Sequence, residues 1–572
     1  MSRRYSLRPG EDGLEVHVDD EQFRKMSVIN PNIVAIAEDA ARAAEAEQTQ
    51  GLIAGLKLYR KASAWSILLS TAIVMEGFDI VLIANLIAVP AFQRRFGHQL
   101  PDGTYQVTAA WQSGLTNGAL VGEILGLMIN GLIADRFGYK KTMIGALTLV
   151  TGLIFIVFFV QSIEMLLVGL ILMGIPWGVF QTLTTTYASE VTPVALRPYL
   201  TTYVNLCWVF GQFLASGVLK GVSLREDQWA YRIPYALQWM WPVPLIIGIS
   251  LAPESPWWLV RKGRLEEAKK MLLRLTSRNQ PNFNVDETIA MMVHTNEMEK
   301  AITEGTTYWD CFKKTDLRRT EIAANTWMVQ VWCGASFMGF STYFYEQAGL
   351  NTSNAFTMSM VQYALGALGV FAAWFLIPKF GRRTLYLGGL VIMFSLLLII
   401  GFCGIASKDN APAQWAIGSM LLIFTFIYDT TVGPICYSLV AEIPSTRLRQ
   451  KTVVLARNWY NIGGIVSNVL TPRMLNPSAW NWGAKSGFFF AGTCFLCLVW
   501  AFFRLPEPKG RTYGELDVLF EQHIPARKFK TTVVDPYMTG EARRASIAAQ
   551  ETKGGEKDLS VHKFEKTQTN SS

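Results

Sequence analysis

The sequence predicts an all-α membrane protein with twelve transmembrane helices in two six-helix halves and a helical linker between them. Three observations carry that reading. Charged residues make up 17% of the 572-residue chain, against about 25% in an average soluble domain, and they are clustered. The stretches between clusters are apolar and long enough to cross ~30 Å of hydrocarbon at 1.5 Å per residue. Features of the first half also recur in the second at nearly constant displacement. Helices are required because an open-edged sheet would leave backbone polar groups unsatisfied in lipid.

Residues 1–63 are polar and charged, with no signal peptide, so the first span is expected to act as the targeting signal. Spans are predicted at 64–90, 108–134, 142–160, 165–188, 200–221 and 235–251, forming an N-terminal half over 64–252. The polar segment 253–320 follows. Within it Leu265, Ala268, Leu272 and Leu275 share one helical stripe, which predicts short amphipathic helices under the bundle. The C-terminal half, 321–505, holds spans at 322–345, 356–377, 384–405, 414–440, 452–474 and 485–504. Residues 506–572, rich in charge, Ser, Thr and Lys, read as a disordered tail. Its Arg543-Arg544-Ala545-Ser546 stretch, with lysines nearby, fits phosphorylation at Ser546 or ubiquitin-linked turnover.

Lys and Arg are richest in the connections after spans two, four, six, eight and ten, including Arg136, Lys140, Lys141, Arg261, Lys262, Arg382 and Arg383. By the positive-inside rule both termini and the linker are expected in the cytoplasm. This placement accounts for the net charge of +8 and gives no reason to expect nucleic acid. Of seven cysteines, Cys494 and Cys497 form a CxxC with no second pair, so neither a zinc nor a redox site is expected. No metal, nucleotide or nucleophile–base set appears, and the chain is not expected to be an enzyme.

The repeat is specific. Asp-Arg-Phe-Gly-Tyr-Lys-Lys at 135–141 echoes Pro-Lys-Phe-Gly-Arg-Arg at 378–383, with Gly381 following Gly138 by 243 residues. Tyr-Ala-Ser-Glu-Val-Thr-Pro at 187–193 echoes Leu-Val-Ala-Glu-Ile-Pro at 439–444, with Glu442 following Glu190 by 252. Pro-Glu-Ser-Pro at 253–256 echoes Pro-Glu-Pro-Lys at 506–509, with Glu507 following Glu254 by 253. Two half-transporters in parallel repeat explain this.

These motifs resemble the sugar porter family of the major facilitator superfamily. Tyr343–Leu350 (YFYEQAGL), Pro434–Arg449 and Trp480–Phe488 (WNWGAKSGF) look most like fungal α-glucoside permeases of the maltose type, a subgroup with relatives handling β-linked disaccharides such as cellobiose and lactose. The resemblance implies a major facilitator fold, a plasma-membrane location, a monomer, alternating access and disaccharide uptake with the proton as coupling ion and no cofactor. Four departures stand out. Pro378 replaces an acid, Trp257 an arginine, Val331 the second glutamine of the seventh helix, and Leu170 an intramembrane arginine of the fourth.

Ionisable side chains inside spans are costly and therefore functional candidates. Glu76 and Asp79 lie three residues apart on one face of helix one, Glu123 lies in helix two and Arg457 in helix eleven. Two close carboxylates in low dielectric cannot both ionise cheaply. With Leu170 in place of the usual arginine, Arg457 is expected to supply the counter-charge to Asp79, Glu76 or both, and Glu123 stays open as a third partner. Glu123 sits in the stripe Gly118, Gly122, Gly126, itself a close-packing seam.

For a sugar, amides both donate and accept while aromatic faces cover C–H patches. Gln212, Gln330, Asn458, Trp459 and Tyr437 are the candidates, each at a position that the resemblance assigns to substrate. Tyr343 and Tyr345 cap helix seven at its outer end, a place that the resemblance implies is a mobile lid. Asp135, Arg136, Glu190, Arg197, Arg382, Arg383, Glu442, Arg447 and Arg449 lie at helix ends on one side, and the resemblance implies ion pairs closing the inner face. A sugar sensor with little flux and an uncoupled facilitator remain competing readings.

Overall fold

The computed structural model describes residue 43 and residues 52–532, apart from 101–102, 194–195, 278–282, 304–306, 407–409, 446–447, 510, 512–515 and 517–518. Spans 1 to 5 are Arg60–Leu86, Ala109–Phe137, Tyr139–Phe158, Ile163–Val191 and Arg197–Val222. Span 6 comprises Trp229–Leu237 and Pro242–Leu251. Span 7 starts at Lys314–Gln330 and ends at Ser341–Gln347. Spans 8 and 9 are Thr352–Phe380 and Arg382–Cys403. Span 10 joins Ala411–Thr430 to Val432–Glu442, and spans 11 and 12 are Arg449–Leu475 and Gly487–Arg504.

Local chemistry sets the boundaries. Thr108, Ser162, Asn351 and Asn410 each accept a hydrogen bond from a backbone N–H one turn into spans 2, 4, 8 and 10. These side chains satisfy donors that a helix start leaves orphaned. Span 7 is not the single helix that its periodicity suggests. A π-turn at Val331–Ala335, with Gly334 at φ 104°, splits it before the short terminal helix.

Eight of the twelve spans are long and apolar enough by themselves to cross a membrane. Spans 5, 6, 7 and 11 fall short among the described residues, because breaks interrupt 6 and 7 and polar residues enter 5 and 11. The halves repeat one another. Span 2 packs along span 4 as span 8 does along span 10, and span 1 along span 5 as span 7 does along span 11. Spans 2 with 11 and 5 with 8 join the halves.

The predicted glycine stripe is such a seam. A Cβ at Gly122 would lie 2.0 Å from the carbonyl of Ile171, and one at Gly126 2.0 Å from that of Ile175. Gly174 and Gly178 of span 4 return the contact, at 2.3 Å from the Ala119 and Glu123 carbonyls. Gly77 and Gly211 seal spans 1 and 5 in the same way.

The linker forms helices Pro256–Arg261, Leu265–Leu275 and Val285–Thr303. The predicted disorder after Arg511 needs correction at the described residues Leu516 and 519–532. Phe520 and Phe529 are fully buried there, the guanidinium of Arg319 lies 4.5 Å from the Phe520 ring, and Arg318 donates to the Ile524 carbonyl at 2.9 Å. Aromatic burial under cations offsets a polar composition. Ser546 lies outside the described residues. A two-stranded hairpin, His98–Gln99 with Tyr105–Gln106, adds a small exception to the all-α class.

Replacing Gly126 with leucine drives a side chain into the backbone of span 4, and overpacking costs about 1–3 kcal/mol or more. Gly126→Leu is expected to lose its monodisperse peak in fluorescence-detected size exclusion, whereas Gly131→Leu, with open space at its Cβ position, keeps it.

Candidate transport pathway

The seam fixes where Glu123 points. With spans 2 and 4 in backbone contact, its side chain is held at the meeting of spans 2, 4 and 11. Arg457 of span 11 approaches it at 3.4 Å, with relative exposures of 15% for Arg457 and 2% for Glu123. The same guanidinium donates twice to the carbonyl oxygen of Gln181 in span 4, at 3.1 and 2.5 Å. Guanidinium can only donate, so Gln181 turns its carbonyl to Arg457 and its NH2 group to Glu76 of span 1, to which it donates. One amide therefore links an acid of the first half to the arginine of the second.

Arg457 is also boxed by rings. Its guanidinium carbon lies 4.7 Å from the Trp327 ring and 4.5 Å from that of Tyr460. Tyr437 packs edge-on against Trp327 at 4.8 Å. Among the described residues, buried Asp79 has no hydrogen-bond partner on either carboxylate oxygen, and Glu76 Oε2 is likewise unpartnered. Of the three acids open to Arg457, the structure brings Glu123 into direct contact rather than the favoured Asp79 or Glu76. The direct ion pair is with Glu123, and Glu76 is reached only through Gln181.

The proposed sugar ligands separate. Gln212 is half-buried on the face of span 5 that also carries Asn205, away from exposed Phe210. Gln330 is buried and donates to the Gly433 carbonyl at 3.0 Å, beside the break in span 10. Asn458 is half-buried, with its carbonyl oxygen unpartnered. Trp459 is different. It is 45% exposed and shares a stripe with exposed Ile462 and Val466, whereas Arg457, Asn461 and Gly464 face the other half. Helical phase puts Trp459 on the outer face of span 11, apart from the other candidates.

Among the described residues, side-chain hydrogen bonds between the halves lie at mid-height and at the end away from the linker. Asn85 accepts from Thr342 N at 2.9 Å and donates to the Gly339 carbonyl at 3.3 Å. Gln106 donates to the Tyr343 hydroxyl at 3.4 Å, and Asn476 to the Val107 carbonyl at 3.0 Å. Lys220 Nζ donates to the Ser353 carbonyl at 2.6 Å, to the Ser353 hydroxyl at 2.9 Å and to the Thr357 hydroxyl. Tyr345 stays within its half, donating to Gln362 at 2.7 Å. This end of the bundle is shut.

Residues 65–520 match the family model described as "Sugar (and other) transporter". The chain belongs to that family. This transporter is 44% identical over 545 residues to the general alpha-glucoside permease of Saccharomyces cerevisiae, covering 94% of this chain and 88% of that one. It is 44% identical over 522 residues to maltose permease MAL61 of Saccharomyces cerevisiae, covering 90% and 85%. Among solved structures it is similar to the proton:xylose symporter XylE bound to 6-bromo-6-deoxy-D-glucose, with a TM-score of 0.65 and 18% identity over 81% of this chain and 99% of that one. The inward open conformation of XylE from E. coli gives a TM-score of 0.64 and 18% identity, covering 80% and 99%. These establish a major facilitator fold.

At the linker end of this transporter the ion pairs among the described residues join each half to itself or to the linker. Arg261 meets Glu190 at 2.7 Å, and Arg382 meets Glu442 at 2.8 Å. Asp135 pairs with Lys262 at 3.1 Å, Arg383 donates to the Phe502 carbonyl at 2.8 Å, and Arg136 lies over the Phe137 ring at 5.6 Å. Arg449 opens span 11 and Arg197 opens span 5; Arg447 lies outside the described residues. Glu254 and Glu507, seen in the sequence only as repeat markers, are the caps of spans 3 and 9. Glu254 accepts from Tyr139 N and Lys140 N at 3.1 and 3.2 Å, and Glu507 from Arg382 N and Arg383 N at 2.9 and 3.0 Å. Burial pushes the Glu254 carboxyl above its ordinary range, while these backbone donors and Ser255 N oppose that shift.

Two residues escaped the sequence reading. Gln181 was visible as the only amide or charged residue between Met165 and Ser189. Asp429 was visible as a lone acid in an apolar run, and it is buried in span 10 against Gly366 and Gly369 of span 8.

Hydrogen bonds to a charged group contribute about 1.5–3 kcal/mol each, so Lys220→Met removes a substantial part of the shut end's stability. Maleimide labelling of a cysteine placed at Asn117, which donates across the halves to the Ile465 carbonyl, is expected to quicken at least tenfold in Lys220→Met over the parent carrier.

Proposed function

We propose that this transporter imports α-glucoside disaccharides together with protons across the plasma membrane. In this reading the termini and linker are cytoplasmic, and the shut end faces outward. The observation that carries it is the chain Glu76–Gln181–Arg457–Glu123, which ties the two halves at mid-height. Arg457 belongs to one half and both acids to the other, so rocking the halves must strain or break their contact. A proton delivered to Glu123 cancels the charge that holds Arg457, and the guanidinium then leans on Gln181 and its two rings. Breaking one side of a buried pair costs about 3–5 kcal/mol, enough to couple protonation to which end is open. Asp79, with no partner for either oxygen among the described residues, has only a proton available as a positive partner in this state.

The sugar reading follows from the permease relatives and from the inward-facing amides. Gln212, Gln330 and Asn458 offer both donors and acceptors to hydroxyls, and Tyr437 packs edge-on against Trp327 near Arg457. An uncoupled facilitator has no need of a buried guanidinium bridging acids and amide between halves, and that cluster favours symport.

Arg457→Leu, Glu123→Gln and Asp79→Asn are each expected to lower sugar accumulation at least 100-fold while leaving exchange of labelled for unlabelled sugar measurable. Full uphill accumulation in Arg457→Leu rules out the coupling role. In cells expressing this carrier alone, maltose is expected to drive proton influx, read with a cytoplasmic pH probe, and glucose is not. Influx with cellobiose or lactose but not maltose reassigns the linkage.

A further inference from the structure

Two sequence signatures are not consumed by the central pathway: Tyr343–Leu350 and Trp480–Phe488. They meet in space. Between them, at the shut end of the C-terminal half, lies a cavity of about 280 Å³ whose lining includes Gln347, Gln414, Asn481, Trp482 and Lys485. Gln347 ends the last helix of span 7, the same helix that carries Tyr343 and Tyr345.

The walls are built by close backbone approach. A Cβ at Gly404 would lie 2.8 Å from Ala484 C and Lys485 N, which brings the loop after span 9 against the start of span 12. The loop before span 12 is pinned by Trp480 N and Trp482 N, which donate to the carbonyls of Arg473 and Met474 at 3.0 and 2.8 Å. Between these anchors Asn481 stands at φ 52°, in the left-handed region that few non-glycine residues enter. That conformation holds Trp482 at the cavity and sets its ring 5.2 Å from Trp480, both rings about half exposed.

The lining has a definite chemistry. Gln347, Asn481 and Lys485 have no side-chain hydrogen-bond partner among the described residues. Three amides, one ammonium and one indole face converge on a space just under the ~300 Å³ at which pockets for drug-sized ligands begin. Amides answer hydroxyls that both donate and accept, and an indole covers a patch of C–H bonds. A tryptophan serving only as an interfacial anchor needs none of the converging amides.

We infer that this cavity is a second saccharide site taking one hexopyranose ring, with Trp482 against its C–H face and the amides of Gln347, Gln414 and Asn481 on its hydroxyls. The inference rests on the sugar reading above. The ring is either the terminal unit of a disaccharide or a free monosaccharide, and binding it braces the foot of the helix that closes over the pathway.

The test is equilibrium binding of radiolabelled maltose and methyl α-glucoside to the purified full-length carrier in lipid nanodiscs. Wild type is expected to bind two equivalents of each sugar per chain. Trp482→Ala and Gln347→Ala each lower affinity at one site at least tenfold, Trp482→Phe keeps both, and Gln212→Ala removes only the other. Maltose binding at the second site without methyl α-glucoside marks the disaccharide terminus as the occupant, which leaves the site in place. A single wild-type site that Gln212→Ala abolishes overturns the inference and leaves the sugar reading intact. Two sites unchanged by Trp482→Ala overturn it as well. No binding of either sugar overturns both.

Discussion

A guanidinium in the middle of a lipid-spanning bundle constrains the rest of this molecule. On insertion scales such a charge costs about +2.5–3.5 kcal/mol at the centre of a helix, so Arg457 needs partners from every side. Glu123 supplies charge, Gln181 supplies a carbonyl, and Trp327 and Tyr460 supply ring faces. Each partner is in turn held by something else. The Gly122–Gly174 seam packs the backbone of span 2 at Glu123 against span 4, and Trp327 packs edge-on against Tyr437. The arginine is on one half and its charge partner on the other. The most expensive group in the membrane therefore stands on the surface that has to move.

The linker end is organised differently. There Glu254 and Glu507 cap corresponding helices, Arg261 of the linker pairs with Glu190 and Arg382 pairs with Glu442 inside the C-terminal half. Gly138 and Gly381 take the same backbone turn, with φ 90° and 86°, and a Cβ at either would collide with its glutamate at 2.5 or 2.6 Å. Repetition at this end gives the two halves matching local caps and ion pairs. Asymmetry at mid-height, where Arg457 has no counterpart across the pseudo-twofold, couples the two halves.

Much of this was legible in the chain. Spans appear as long apolar runs because lipid tolerates nothing else, and the glycine stripe of span 2 announced a seam because only a missing side chain lets backbones touch. The charged candidates stood out for the same reason. Their partners did not. Leu170 signalled that the usual arginine was gone, yet which acid Arg457 would meet depended on helix rotation. Trp459 matched a sugar-binding position in order along the chain but turned to the outer stripe of span 11. The tail looked disordered by composition, and it took the guanidinium groups of Arg318 and Arg319, some 200 residues away, to bury Phe520.

The sequence by itself determined the helical class, the two-fold repeat, the linker and the identity of the buried charges. Each follows from local hydropathy, spacing or the cost of a charge in lipid. Only the tertiary structure decided that Glu123 is the ion-pair partner, that Gln181 relays Arg457 to Glu76, that Asp79 has no hydrogen-bond partner among the described residues and that one end is shut. Those outcomes depend on the rotation and depth of one helix against another, which is set by contacts hundreds of residues apart and leaves no trace in any local pattern.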